Sequence, residues 1–365
     1  MISKDKKKIL FTGGGTVGHV APNLALITRF QQEGYDICYI GSYNGVEQDL
    51  VNRAGVAYHP IATGKLRRYF NWRNFSDPFL VLCGIIQSLL LLQRFKPNII
   101  FSKGGFVALP VVMAAWVLRI PTVVHEADLT PGLANRLSFP LATRICVTFS
   151  ETMDSLAKKY LAKTIVSGLH IKTAFLQPDP ERGRKLCDFS GEKKIIVVFG
   201  GSLGADRINS VLRTILPNLL KQFQIAHICG KGMVDKSLES QDYRQFAYLH
   251  EEFPHLLAAA DLVISRAGAN TVYELLTLRK PNILLPLSKA ASRGDQITNA
   301  KYCLAHGFSE VIFDEQLESD ILLAKILNLM GNREEMLNNL AQSKFLNAED
   351  IIYGLVDKLF FLNVS

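Results

Sequence analysis

Short runs of consecutive apolar residues alternate along this chain with longer segments in which apolar positions recur every three or four residues. KKILFTGGG (7–15) reads as a strand running into glycines, and the periodic segment from His19 to about Gln32 reads as the helix that follows. Further strand-like runs are YDICYIGS (35–42), PNIIFSKGG (97–105), IPTVVHEAD (120–128) and TRICVTFS (143–150). After the polar, proline-bearing QPDPERGRK (177–185) the layout restarts with KKIIVVFGGSLGA (193–205) and a helical segment to about Phe223. IAHICGKG (225–232), ADLVISRAG (260–268) and PNILLPL (281–287) follow. Unbroken apolar strands alternating with helices imply parallel sheets covered on both faces. The reading is an α/β protein of two doubly wound domains with a boundary near 168–192 and a cleft between them, ligands lying beyond the carboxyl ends of the strands.

The length of 365 residues fits two domains, since single cores stop growing at about 250–300 residues. Hydrophobic residues make up 48% and charged ones 20%, which excludes a disordered chain. The six cysteines (Cys38, Cys83, Cys146, Cys187, Cys229, Cys303) lie far apart, without a C-x-x-C pair or nearby histidines at metal-ligand spacing. They read as reduced, mostly buried thiols of a cytosolic protein. The start MISKDKKKILFTGGG has no cleavage-like site, which disfavours secretion. A net charge of +8 suits nucleic acid, anionic lipid or a phosphorylated substrate equally well.

GGGTVGH (13–19) contains G-x-G-x-x-G between a strand and a helix, the context of a dinucleotide fingerprint. Such a site also needs an acid at the end of the next strand to hold the ribose, and that position reads Tyr39-Ile40-Gly41-Ser42. Nicotinamide binding is therefore disfavoured. A tight turn with no ligand explains one such loop, but SKGGFV (102–107) and GGSLGA (200–205) also follow strands and precede helices. Glycines there let backbone N–H groups approach phosphate oxygens at a helix N-terminus, so the set points to a pyrophosphate ligand. In SRAGANTVYEL (265–275) a strand ends at Ser265 and a helix is expected to begin near Asn270 or Thr271. Glu274 would stand one turn in, as an acceptor for ribose hydroxyls or as an ordinary helical glutamate.

Together these segments carry a resemblance. GGGTVGHVAPN (13–23), GKLRRYF (64–70), SKGGFV, HEADLTPGLAN (125–135), GGSLGA, SRAGANTVYEL and SRGDQITNA (292–300) are similar, in order and spacing over nearly the whole chain, to the MurG family. HEADLTPGLAN and SRGDQ look most like its branch from low-GC Gram-positive bacteria. The resemblance implies the GT-B architecture of two Rossmann-like domains, here an acceptor and membrane-associating domain at 1–168 and a donor-binding domain at 169–344. A C-terminal helix at about 345–365 would pack back on the first. It implies inverting transfer of N-acetylglucosamine from UDP-N-acetylglucosamine to the 4-hydroxyl of the muramic acid of lipid I, giving lipid II for peptidoglycan synthesis, cell shape and division. Other cell-wall synthesis enzymes would be partners.

For residues, the resemblance implies that Ser202 contacts the donor's phosphates, that Ala269, Asn270 and Thr271 lie along the nucleotide, and that Glu274 holds the ribose. Asp295 and Gln296 would reach sugar hydroxyls, His250 would join the substrate site, and Thr16, Val17 and Gly18 would line the cleft. The chain departs from the family at GLHIK (168–172), where G-N-P-V-R is usual, so Lys172 puts a point charge in place of a bidentate fork near the phosphates. It also reads HEADL where many members have H-E-Q-N, making Asp128 an acid in place of an amide.

Inverting transfer needs a base for the attacking hydroxyl and stabilisation of the departing UDP. His19, closing the first glycine loop at a helix N-terminus that favours the neutral imidazole, is the leading base, with Glu126 and Asp128 as competitors. No D-x-D triplet occurs, so the expected chemistry uses no metal and no cofactor. Residues 64–97 combine Lys65, Arg67, Arg68, Arg73, Arg94 and Lys96 with Phe70, Trp72, Phe75 and an apolar run. At about 15 residues the run is short of the roughly 20 that span a bilayer, so it reads as a buried helix or as an interfacial segment on anionic lipid. No nucleic-acid motif accompanies these basic residues. The expected location is the cytoplasmic face of the cell membrane. Competing readings are a diacylglycerol glycosyltransferase, a nicotinamide oxidoreductase and a catalytically silent sugar-nucleotide-binding protein.

Overall fold

The computed structural model describes residues 7–15, 17–64, 73–171, 173–189, 193–200, 206–289, 292, 294–343 and 346–364. The chain forms two compact units, one of Met1–Ile171 with Leu346–Ser365 and one of Lys172–Phe345.

In the first unit β1 (Lys8–Thr12), β2 (Asp36–Ser42), β3 (Ala57–Ile61), β4 (Ile99–Ser102), β5 (Thr122–Glu126), β6 (Arg144–Val147) and β7 (Thr164–Val166) form a parallel sheet in the order β3-β2-β1-β4-β5-β6-β7. Alternate residues of each strand serve different cores, as the period of a strand requires. Ile9 and Phe11 of β1 join Ile37, Tyr39, Ile99 and Phe101 on one face, under the helix α1 (Val17–Gln32). Leu10 faces the other way, with Cys38, Ile40 and Ile100, against α3 (Arg73–Phe95) and α4 (Ala108–Val117); α2 (Val46–Arg53) links β2 to β3. The terminal helix Ala348–Val364 completes the first core with Ala348, Ile352, Val356 and Leu359. Each fully buried aliphatic side chain of this kind contributes about 1.5–3 kcal/mol. Lys7 Nζ pairs with Asp357 Oδ1 at 2.6 Å and Tyr35 donates to the same oxygen at 3.0 Å, so the first strand and the last helix are fastened to each other.

The helix α3 is longer than its apolar run in sequence. Among the described residues, Asp77–Phe95 is long and apolar enough by length and composition to cross a membrane, so the shortness argued from the sequence does not hold. Packing decides what the helix does. One face lies on the unit: Gly84 sits where a Cβ would meet the Ala62 carbonyl oxygen and Pro110, Gln87 accepts from Ala62 N–H at 2.6 Å, and Leu92 enters the core. The opposite face presents Phe79, Leu82, Ile86 and Leu90, exposed by 71%, 55%, 51% and 63%, and only 17% of the apolar window is buried. Trp116 and Val117 at the end of α4 are exposed as well.

The second unit repeats the plan with β8 (Lys194–Phe199), β9 (Phe223–Ile228), β10 (Tyr243–Phe246), β11 (Leu262–Ser265), β12 (Asn282–Leu284) and β13 (Glu310–Val311) in the parallel order β10-β9-β8-β11-β12-β13. The helix after β8 ends at Leu219, and Phe223, expected near its end, opens β9. In both sheets the strand order reverses beside the first strand. The topological switch points therefore fall between β1 and β4 and between β8 and β11, where doubly wound sheets bind ligands.

Candidate active site

The glycine segments flank these switch points. In the first unit β1 hands the chain through Gly13 and Gly15, both in left-handed conformations (φ 153° and 88°), to α1, whose third residue is His19. Thr16 and the side chains of Val17, Gly18 and His19 lie outside the described residues. Behind the loop, Asn23 donates to the Thr12 carbonyl at 3.3 Å and to the Tyr39 hydroxyl at 3.2 Å, and Tyr39 donates to the Gly13 carbonyl at 2.7 Å. The Gly15 N–H, expected from sequence to face a phosphate, donates to Glu47 Oε2 at 3.3 Å. Glu47, wholly buried, also accepts from the Ser42 N–H at 3.0 Å and hydroxyl at 2.5 Å. Sequence reasoning missed this residue, although an acid just past the end of β2 was the available signal.

The loop after β4 has Gly104 and Gly105 in succession at φ 84° and 82°. Before them, buried Lys103 donates to His125 Nδ1 at 2.7 Å, and His125 Nε2–H donates to the Gly168 carbonyl at 3.0 Å. Those two partners set the tautomer. Burial pushes the Lys103 ammonium down to about 7, against the opposing pull of Glu126, Cys146 and Asp128. Burial, with Lys103 beside it, holds His125 well below the usual histidine range, so the imidazole is neutral. Glu126 is buried and accepts from the Asp128 N–H on one oxygen at 3.0 Å, and from the Gly132 N–H at 3.0 Å and Asn135 Nδ2 at 2.9 Å on the other. Offered by the sequence as a competitor to His19 for the base, this carboxylate is engaged in shaping the turn that carries Asp128. Asp128 itself is half-buried at the carboxyl end of β5.

In the second unit Ser202 and Lys172 fall outside the described residues. The helix that follows the third glycine loop, Asp206–Leu219, holds Asn209, which donates to the Cys229 carbonyl at 2.9 Å and pairs with His227 Nε2 at 2.8 Å. Burial holds His227 down to about 3, a neutral strut between Asn209 and the Tyr243 hydroxyl. The helix after β11 begins at Ala269, earlier than expected, which sets Glu274 in its second turn. Its N-cap is Gly268, a residue with no side-chain acceptor for the first helical N–H groups. Ala269 is buried, and Asn270, Thr271 and Glu274 are partly exposed.

Two further side chains, which sequence reasoning passed over, brace that turn. Buried Arg266 donates to the Leu285 carbonyl and to Asp314 Oδ1, both at 3.0 Å, tying the ends of β11 and β12, and Asn299 donates to the Ala267 carbonyl at 3.1 Å. Beyond β12, Gly294 adopts a left-handed N-cap (φ 86°), Asp295 opens the next helix, and Gln296 Oε1 accepts from the Leu287 N–H at 3.1 Å. His250 is exposed beyond β10, its ring against the edge of Tyr248 at 4.4 Å. The described candidates of this unit thus gather past the carboxyl ends of one sheet. Among the described residues no group of three or more His, Cys, Asp or Glu is placed to hold a metal ion.

Residues 9–147 match the glycosyltransferase family 28 N-terminal domain and residues 195–353 the glycosyltransferase family 28 C-terminal domain. The chain belongs to glycosyltransferase family 28. Family 28 relatives of high similarity carry one name, UDP-N-acetylglucosamine--N-acetylmuramyl-(pentapeptide) pyrophosphoryl-undecaprenol N-acetylglucosamine transferase. The one from Clostridium tetani is 48% identical, over 97% of this chain and 99% of that protein. The one from Geobacillus thermodenitrificans is 50% identical, over 93% and 95%. The crystal structure of Acinetobacter baumannii MurG superposes with a TM-score of 0.78 at 25% identity, covering 96% of this chain and 99% of that one. The fold class of this family 28 enzyme is GT-B, with two Rossmann-like units.

The buried Lys103–His125 pair gives stability a characteristic pH dependence. The unfolded lysine keeps its proton to about 10.4, whereas the folded one loses it near 7, so the unfolded state binds more protons between these values and stability rises with pH across that window. On acidification through the ordinary histidine range the unfolded His125 takes a proton that the folded one refuses, and stability falls. Urea midpoints of the wild type should rise relative to Lys103→Met between pH 7 and 9; a constant difference across that range contradicts the assignment.

Proposed function

We propose that this chain transfers N-acetylglucosamine, with inversion, from UDP-N-acetylglucosamine to the 4-hydroxyl of the N-acetylmuramic acid of lipid I, yielding lipid II and UDP. The observation that carries the reading is identity of 48–50% over almost the full length of relatives bearing that name. The acceptor oxygen forms a bond to the anomeric carbon, the bond from that carbon to the UDP oxygen breaks, and the hydroxyl proton passes to a base. His19 is that base. Its place in the first turn of α1 favours a neutral imidazole. Asp128 contacts the acceptor or the sugar, and Glu126 holds the turn on which Asp128 stands.

The second unit binds the donor. Glu274 accepts from the ribose hydroxyls, Ala269, Asn270 and Thr271 run along the nucleotide, and Asp295, Gln296 and His250 meet the sugar or the base. Developing charge on UDP is stabilised by Ser202 and Lys172 with helix N-termini such as the start at Gly268, which has no side-chain cap. No metal takes part. Thr16, Val17 and Gly18 line the acceptor side.

The enzyme works as a peripheral protein on the cytoplasmic face of the cell membrane, alongside other enzymes of cell-wall synthesis. The exposed stripe Phe79, Leu82, Ile86 and Leu90 on a helix whose other face is packed supports binding in the plane of the interface. Arg94 and Lys96 are exposed at its end, and Lys65, Arg67, Arg68, Arg73, Phe70, Trp72 and Phe75 complete the basic and aromatic surround in sequence. Their described part suits anionic lipid.

Radiolabelled UDP-sugars offered with a lipid I analogue should show transfer of N-acetylglucosamine in preference to glucose. His19→Ala should lose about 10²–10⁴-fold in turnover with donor binding unchanged. Preference for glucose or for diacylglycerol overturns the reaction, and turnover of the variant within a few-fold of wild type overturns the base. In flotation with anionic vesicles at low salt the wild type should be retained and Leu82→Glu with Ile86→Glu should not; a wild type that stays unbound contradicts the membrane surface.

A further inference from the structure

We infer that Glu47 is a built-in anion for the first glycine loop, a positioning residue that takes the place a phosphate has in a nucleotide-binding loop and sets the first turn of α1. The carboxylate is fully buried and accepts from three donors, the Ser42 N–H and hydroxyl and the Gly15 N–H. As the second residue of α2 it also sits in the partial positive charge of that helix's N-terminus. A buried carboxylate left without such donors is strongly destabilising, so the loop and the acid fix one another.

The glycines of the loop fit this reading one by one. A Cβ on Gly14 would come within 2.5 Å of Glu47 Oε1, one on Gly13 would meet Lys103 and Asn23 at 3.1 and 3.2 Å, and one on Gly15 would press into the Phe106 ring at 2.5 Å. Gly45, just before α2, is likewise closed against the Glu47 carboxylate. The absent side chains make room for protein groups, and the N–H at Gly15 already has its acceptor. A phosphate at this loop would meet a negative charge in its own position. The first loop is therefore reserved for holding the chain at Gly15, four residues before His19, and the donor's phosphates are excluded from it.

The catalytic part of this inference rests on the proposed transfer, so the test has an arm that needs no turnover. In the full-length chain, Glu47→Ala should speed amide hydrogen exchange in residues 12–20 by about tenfold or more while residues 194–199 of β8 stay unchanged. It should lower kcat by about tenfold to a hundredfold, the scale of an ångström of misplacement, with the donor KM within twofold of wild type. Sodium formate, a carboxylate small enough to enter the vacated position, should recover at least fivefold of that loss, and sodium chloride at equal ionic strength should not. Glu47→Gln keeps an acceptor for Ser42 and loses the charge; it decides the matter if the alanine variant does not fold, and it should show the same kcat loss with a near wild-type melting temperature. Unchanged exchange and kcat, or a donor KM that rises in step with the lost activity, overturn the inference. A wild type that transfers no sugar overturns the proposed function alone, and the exchange arm still decides on Glu47.

Discussion

Each strand of a parallel doubly wound sheet must hand the chain to a helix whose first N–H groups have no partner within the helix. All the strands of a sheet end at the same edge, so these donors accumulate there, and the rest of the molecule is arranged around what accepts from them. In the first unit buried acids of the chain itself accept from the N–H groups of the segments that lead into the helices. Glu47 takes the Gly15 N–H and Glu126 takes those of Asp128 and Gly132. In the second unit the helix after β11 starts from Gly268 without a side-chain cap. The same backbone geometry thus serves a scaffold of buried acids at the first glycine loop and, under the proposed function, a helix start that meets the donor's phosphates in the second unit.

The scaffold side is a chain of buried polar groups, each needing the next. Lys103 is tolerable in the interior because His125 accepts from it, and His125 can accept because its other nitrogen donates to Gly168. Asn135 joins the His125 carbonyl to Glu126 at 3.1 and 2.9 Å. Residues far apart in sequence are locked at the carboxyl ends of β4 and β5, and partial satisfaction of such a network would cost more than an apolar core.

The sequence made the central strands legible because residues such as Ile99–Phe101 and Ile195–Val198 are buried on both faces and form unbroken apolar runs. The strands it left unread, β3, β7, β10 and β13, are the edges of the two sheets. AYHPI and YRQF alternate or mix buried and half-exposed positions, so neither forms a run, and β3 carries a proline that an edge accommodates. The helix α3 was read short because only its apolar run was counted, whereas the helix takes in Asp77 and Pro78 before that run and continues to Phe95; Gly84 and Gln87 within the run bind its inner face to the unit. Among candidate site residues, glycine loops announced themselves through spacing. Glu47, Lys103 and Arg266 did not, because a single charged residue in sequence carries no sign of whether it is buried or which N–H or carbonyl it faces.

Under the proposed function the two glycine-bearing units divide the labour, and amide hydrogen exchange with and without UDP reads that division directly. UDP should protect the second unit alone, at the loop after β8 and at residues 266–277, with residues 12–20 unchanged. Protection of residues 12–20 with none at 266–277 would place the nucleotide in the first unit and overturn that division.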